Sequence, residues 1–342
     1  MRYKLLGRSG LRVSELCLGT MTFGEDWGWG SGEQESRRIY DAFLEAGGNF
    51  IDTANFYTNG TSEKLLGGFM QGHRQRIVLA TKYTNASPGA DPNAAGNQRK
   101  SMVQACEASL QRLKTDYIDL YWLHIWDGMT PAEEVMRAFD DLVRAGKVLY
   151  VGVSDAPAWW VARANAIAEL RGWTPFVALQ IEYSLVERTV ERELTPMAKA
   201  LGLTVTAWSP LAGGFLTGKY AAGQGGGRYD TEMMKQFASL DKRKQTIIGE
   251  VSKVGREIGR SAAQVALAWL RQREVPVIPI VGARKIEQFK DNLACLDVRL
   301  APEQLRRLDE ASAVELGFPH DFYAKEMVRN FIFGGTRDLI DA

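Results

Sequence analysis

Eight short apolar runs, each set off by amphipathic stretches, constrain this chain more than any other feature. They cover residues 16–19, 49–52, 77–82, 117–124, 150–154, 177–180, 204–208 and 277–281. Their brevity and β-branched content fit strands buried on both faces. Between them the spacing is helical. Residues 35–48, ESRRIYDAFLEAGG, put Ile39, Phe43 and Ala46 on one face and stop at a glycine pair. Residues 104–114 and 131–147 behave alike. In the second, Thr130 reads as the N-cap, Pro131 as the first-turn residue and Gly146 as the stop. Eight strands alternating with helices predict a (β/α)8 TIM barrel. A doubly wound sheet is the alternative, but no break divides the chain into halves.

Two additions decorate the pattern. Residues 2–15 alternate around Arg8-Ser9-Gly10, which predicts a β-hairpin plugging the bottom of the barrel. Residues 221–227, AAGQGGG, form a glycine-rich stretch after the seventh strand. The expected organisation is one domain over 1–342: hairpin 1–15, barrel 16–300, C-terminal helix and tail 301–342. A chain of 342 residues suits one α/β barrel.

Composition mainly excludes. Forty-two Lys+Arg against forty-one Asp+Glu leave a net charge of +1, so no basic field points to nucleic acid or a membrane surface. No apolar run approaches the roughly 18 residues of a membrane span, and the N-terminus lacks the apolar core of a secretory signal. Cys17, Cys106 and Cys295 are an odd, scattered set, which fits a reducing cytoplasm. His73, His124 and His320 have no Cys or second His at ligand spacing, so no metal site is expected.

Chemistry collects at the C-terminal ends of barrel strands. Here those ends carry Asp52, Lys82, His124, Ser154, Gln180 and Trp208, with Tyr57 in the loop after Asp52. Each alone has a plainer reading. Asp52 could cap a turn, Lys82 could snorkel to solvent, His124 could be a core histidine, and Tyr57 could pack with a wet hydroxyl. A strand buried on both faces has no packing reason to end in an acid, a base or an imidazole. Six such ends together indicate a site.

The chain resembles the aldo-keto reductase superfamily over nearly its full length. The matching pieces are GTMTFG (19–24), IDTANFY (51–57), ATKY (80–83), YIDLYWLH (117–124), GVSD (152–155), LQIEYSL (179–185) and GARKIEQFKDNL (282–293). The phrase GVSDAPAWWVARANAIA is similar to the aryl-alcohol dehydrogenase-like branch. The resemblance implies a catalytic tetrad of Asp52, Tyr57, Lys82 and His124. A free phenol, with a pKa near about 10, is too weak an acid at neutral pH. An ammonium at Lys82 would favour the phenolate, commonly by about 1–3 units. Asp52 would keep Lys82 charged and His124 would orient the carbonyl.

No G-x-G-x-x-G follows a predicted strand. GGFLTGKY (213–220) has the glycine and lysine spacing of a P-loop but ends in Tyr220 where magnesium needs Ser or Thr. The resemblance instead implies NADP(H). Ser154, Gln180 and, less usually, Asp155 would address the carboxamide, with Asp155 standing where many members have Asn. Trp208 would stack on the nicotinamide. The loop with Ser209, Leu211, Gly213 and Lys219 would hold the pyrophosphate. Gly282 would belong to the cofactor site, Arg284 would take the 2′-phosphate near a helix start, and Gln288 and Asn292 would meet the adenosine end.

Trp27, Trp29 and Trp126 suggest an aromatic-lined pocket for an aryl or other apolar aldehyde or ketone. Residues 318–323 could border that pocket, and residues 327–333 are apolar enough for a homo-oligomer contact. Potassium-channel beta subunits share the implied fold and cofactor site, so an NADPH-binding regulatory protein is the rival to a reductase.

Overall fold

The computed structural model describes residues 1–86, 89, 91–218 and 241–340. Among these, ten strands form. β1 (Tyr3–Leu5) and β2 (Arg12–Ser14) pair antiparallel as a hairpin. The barrel strands are β3 (Cys17–Gly19), β4 (Phe50–Asp52), β5 (Val78–Tyr83), β6 (Ile118–Leu123), β7 (Val148–Ser154), β8 (Phe176–Glu182), β9 (Thr204–Trp208) and β10 (Val277–Val281). They close in the order β10-β3-β4-β5-β6-β7-β8-β9, every pairing parallel. All eight C-terminal ends therefore face one way.

The period-2 alternation of a strand sorts the core into two shells. Phe50, Val78, Ala80, Leu120, Trp122, Ala178 and Ile278 point into the barrel and join Leu6 and Val13 of the hairpin region. The hairpin thus plugs the mouth opposite the strand ends, as its alternation predicted. The intervening residues, among them Tyr121, Leu123, Val151 and Leu179, pack outward on the helices. Trp122 has no solvent exposure, and its indole fills the space beside Gly152 on β7. A Cβ at Gly152 would lie 2.4 Å from that ring. Burying a tryptophan is worth roughly 4–6 kcal/mol at about 25 cal/mol per Å2, so Gly152 supports a large share of the inner shell.

Helix boundaries differ from the sequence expectation at two instructive points. The helix expected from residue 104 begins at Arg99, because the Gln98 side chain accepts the Ser101 amide at 2.7 Å. Glutamine is an uncommon cap, so the signal was weak. Thr130 is not the cap of the Ala132–Arg144 helix. Pro131 holds that place, and Thr130 donates its amide and hydroxyl to the Asp127 carboxylate at 2.9 and 2.6 Å. An aspartate three residues upstream outcompetes the helix for the threonine.

Beyond the barrel, the helix Pro302–Ala311 is followed by two further helices, His320–Tyr323 and Glu326–Phe333, rather than by a plain tail. Cys17, Cys106 and Cys295 are buried and unpaired. Among the described residues no helix is long and apolar enough to cross a membrane.

Candidate active site

The parallel register of β4 and β5 pairs Asp52 with Ala80, so Lys82 lies one inward-facing step further along the neighbouring strand. Both side chains are buried at the top of the barrel, Lys82 completely. The Lys82 ammonium donates to Asp52 Oδ2, to the Thr53 carbonyl at 2.8 Å and to Tyr57 Oη at 3.1 Å. That uses its full set of three N–H donors. The other Asp52 oxygen accepts from Gln180 Nε2 at 3.0 Å. Tyr57 opens a tight turn in which Thr58 and Asn59 take left-handed φ values of 44° and 53°. Thr58 is held there by its hydroxyl, which donates to the Phe23 carbonyl at 2.7 Å and accepts the Ser62 amide at 3.1 Å. A β-branched residue in that region costs about 1–3 kcal/mol, and the turn sets the tyrosine over the lysine. His124, one residue past β6, meets the Tyr57 ring edge-on at 5.9 Å. The four side chains singled out in sequence thus converge.

Their protonation follows from burial and neighbours. Burial alone would lower the Lys82 pKa, but the Asp52 carboxylate, with Tyr57 adding to it, holds the ammonium above the ordinary lysine value. For His124, burial and then the Lys82 charge both favour the neutral ring, well below the usual 6.5. Tyr57 corrects the sequence expectation. Burial raises its phenol above 10 and outweighs the pull of Lys82, while Asp52 adds to the rise. The phenol is a fully protonated donor, and the ammonium's value lies in stabilising the anion once the proton leaves.

A cleft of about 630 Å3 runs from this cluster to the loop after β10, a size typical of ligand sites. Asp52, Tyr57, His124, Ser154, Asp155, Gln180, Trp208, Ser209, Leu211, Gly213, Gly282, Arg284, Gln288 and Asn292 all line it. Ser154 Oγ is buried and makes no hydrogen bond of good geometry among the described residues, although it lies close enough to the Asp155 carboxylate to oppose the rise that burial gives its pKa. Gln180 spends its N–H2 on Asp52, which leaves its oxygen for the cleft. Asp155, at a left-handed φ of 45°, accepts from the Trp208 indole N–H at 3.0 Å. Its carboxylate therefore anchors the aromatic ring rather than reaching past it. The Gly213 and Gly214 amides, offered in sequence to a pyrophosphate, are engaged within their loop by Ser209 Oγ at 3.2 Å and the Leu211 carbonyl at 2.9 Å. Lys219 and residues 221–227 lie outside the described residues.

The profile of the aldo/keto reductase family matches residues 15–313. The chain belongs to the aldo/keto reductase family. Norsolorinic acid reductase of Aspergillus flavus is 39% identical over 328 residues, 93% of this chain and 82% of that protein. An aryl-alcohol dehydrogenase [NADP(+)] of Phanerodontia chrysosporium is 39% identical over 334 residues, covering 91% and 86%. An uncharacterized oxidoreductase of Bacillus subtilis is 41% identical over 322 residues, covering 91% and 95%. These relatives place this aldo/keto reductase in the aryl-alcohol dehydrogenase-like branch, as an oxidoreductase that uses a nicotinamide cofactor.

The three tryptophans assigned to the pocket of this reductase separate. Trp29 lines the cleft. Trp27 stands behind it, 6.0 Å from Trp29, 5.5 Å from Phe56 and edge-on to Tyr57 at 6.5 Å. Trp126 packs against Trp159 at 5.8 Å and the helix-covered core and is not among the residues lining the cleft. Residues 318–323 do not line the cleft either. Sequence reasoning missed Thr20, Met21, Thr22, Ser261 and Asp291, which do; the first three sit in the GTMTFG piece directly after β3. It also missed three tethers between the first and last barrel loops. Thr22 and Ser31 hydroxyls donate to the carbonyls of Ala283 and Arg284 at 2.8 and 2.9 Å, and Glu35 accepts the Ile286 amide at 2.6 Å. Glu35 thereby takes the first amide of the Ile286–Leu293 helix.

Proposed function

We propose that this protein reduces aryl or other apolar aldehydes and ketones with NADPH, Tyr57 donating the proton. The observation that carries the reading is the Lys82 ammonium, hydrogen-bonded at once to Asp52 and to Tyr57, both of which line the cleft. When bound, the dinucleotide supplies a hydride. Tyr57 Oη gives its proton to the oxygen that becomes the alcohol. Lys82, 3.1 Å away, stabilises the phenolate left behind. Asp52 keeps Lys82 charged and aimed. His124, neutral, donates a second hydrogen bond to the same oxygen. Run backwards, the same groups serve alcohol oxidation.

The fit to a nicotinamide rests on the Ser154 hydroxyl, the Gln180 oxygen and the anchored Trp208 ring, which all line the cleft. Arg284, part-buried at the far end of the cleft, suits a 2′-phosphate through its forked donors. The relative named for NADP(+) and aryl alcohols and the Trp29 wall support the cofactor and substrate class.

The test is NADPH and NADH oxidation with a panel of aromatic and aliphatic aldehydes. Tyr57→Phe should lower kcat by more than about a hundredfold, the usual worth of a general acid, with cofactor Kd near normal. Arg284→Ala should erase the preference for NADPH. Full turnover in Tyr57→Phe would end the mechanism; equal use of both cofactors by the unmodified protein would end the phosphate assignment.

A further inference from the structure

The geometry points to Asn85 as a positioning residue that fixes which nitrogen of His124 carries the proton. The inference rests on the proposed function, in which His124 addresses the carbonyl oxygen. It starts from the loop leaving β5. Thr84 takes a left-handed φ of 94°, and its hydroxyl oxygen faces the His124 amide at 3.3 Å and Asn97 Nδ2 at 2.9 Å. That turn delivers Asn85, whose Nδ2 lies 3.3 Å from His124 Nδ1. The backbone carbonyl of Asn85 is held by Asn55 Nδ2 at 2.9 Å, and the Asn55 backbone amide donates to the Lys82 backbone carbonyl at 3.1 Å. The loops after β4, β5 and β6, which carry Tyr57, Asn85 and His124, are pinned together at this point.

An amide N–H2 only donates, so the ring nitrogen it faces must be the bare one. The proton then sits on Nε2, and the hydrogen bond made by one nitrogen decides the state of the other. Burial and then the charge of Lys82 favour the neutral ring, and the Tyr57 ring packs edge-on against it at 5.9 Å. His124 therefore presents a single N–H donor beside the Tyr57 hydroxyl, and one carbonyl oxygen can take both. His73 is the opposite case within the same molecule. Its Nδ1 faces the Gln71 carbonyl at 3.2 Å, which requires a proton there, and its Nε2 faces Tyr40 Oη at 2.7 Å.

The chain has three histidines, so long-range 1H–15N correlation spectra of the full-length protein resolve each ring, with His124→Gln as the assignment control. The expected wild-type spectrum has a bare Nδ1 and protonated Nε2 for His124, and the reverse for His73. Asn85→Leu removes the donor at similar volume. It should mix the two His124 tautomers and lower kcat/KM for the carbonyl by about tenfold, the loss of one hydrogen bond, with cofactor Kd unchanged. Asn85→Asp puts an acceptor opposite Nδ1. It should put a proton on Nδ1, by moving it from Nε2 or by favouring the imidazolium, and either change shifts the His124 ring signals from the wild-type pattern. A wild-type His124 protonated at Nδ1, or ring signals unmoved in Asn85→Leu, would overturn the assignment. The spectra are read without cofactor or carbonyl. A protein with the Nε2–H form and no carbonyl reduction would therefore uphold the ring assignment while removing the proposed function.

Discussion

Replacing Asp52 by Asn should reverse the sign of the pH dependence that Lys82 gives to stability. Both carboxylate oxygens are in use, one by Lys82 Nζ and the other by Gln180 Nε2 at 3.0 Å. Asparagine keeps one acceptor and turns an N–H2 toward the second donor. The larger loss is charge, because Lys82 has no solvent exposure and no other anion in contact among the described residues. Removing one partner of a buried pair costs about 3–5 kcal/mol. With about 2.1 cal/mol/K of unfolding entropy per residue, a chain of 342 residues should lose about 4–7 °C in Tm. In the wild type the folded Lys82 pKa lies above the unfolded value of about 10.4. Its stabilisation is fully present below that pH and fades only as pH rises through the higher folded value. In the variant the main opposition to burial is gone, with only the weaker pull of Tyr57 left, and the folded pKa falls below about 10.4. The unfolded chain then binds more protons over that window, so the variant gains stability as pH rises toward about 10. Urea midpoints followed by tryptophan fluorescence at pH 7, 8, 9 and 10 read the difference between the two proteins, in which other titrating groups cancel. The gap should narrow with pH. A constant or widening gap would mean that Lys82 is not held charged by Asp52.

Three further outcomes follow from the same geometry. With Tyr57 raised above its ordinary value and His124 well below it, kcat/KM for carbonyl reduction should be flat from about pH 6.5 to about 10; a limb inside that range would contradict the assigned protonation states. Asp155→Ala should free the Trp208 indole and weaken cofactor Kd by about tenfold, the worth of a charge-assisted hydrogen bond, while Asp155→Asn, which keeps an acceptor, should bind nearly normally; equal affinities in a fluorescence titration would dismiss the anchor. Gly152→Ala, with its Cβ 2.4 Å from the Trp122 ring, should cost about 1–3 kcal/mol in urea, and Trp122→Leu in the same chain should recover part of that.

The barrel was legible because period-2 burial and helical spacing alternate eight times, and few other folds accept that pattern. Asp52, Lys82 and His124 were legible because a doubly buried strand has no packing reason to end in such groups. What escaped was whatever depends on direction or depth. Trp126 lies two residues past His124 in the chain, yet the loop turns its ring toward Trp159. The Tyr57 phenol sits beside an ammonium, as expected, but the sign of its shift is set by burial, which neighbours in sequence do not reveal. Asn85 reads as an ordinary turn residue until the fold brings it to His124, a contact 39 residues apart in the chain. Thr130 was misread because an Asx-type turn and a helix cap compete for the same hydroxyl.

The ties from Thr22, Ser31 and Glu35 to the segment 283–286 make the aromatic wall of the mouth and the arginine proposed to clamp the dinucleotide parts of one rigid frame. Reshaping residues 25–30 to admit a bulkier carbonyl would therefore also shift the grip on the far end of the cofactor. On the proposed function, the choice of what is reduced and the choice of what reduces it would be mechanically joined.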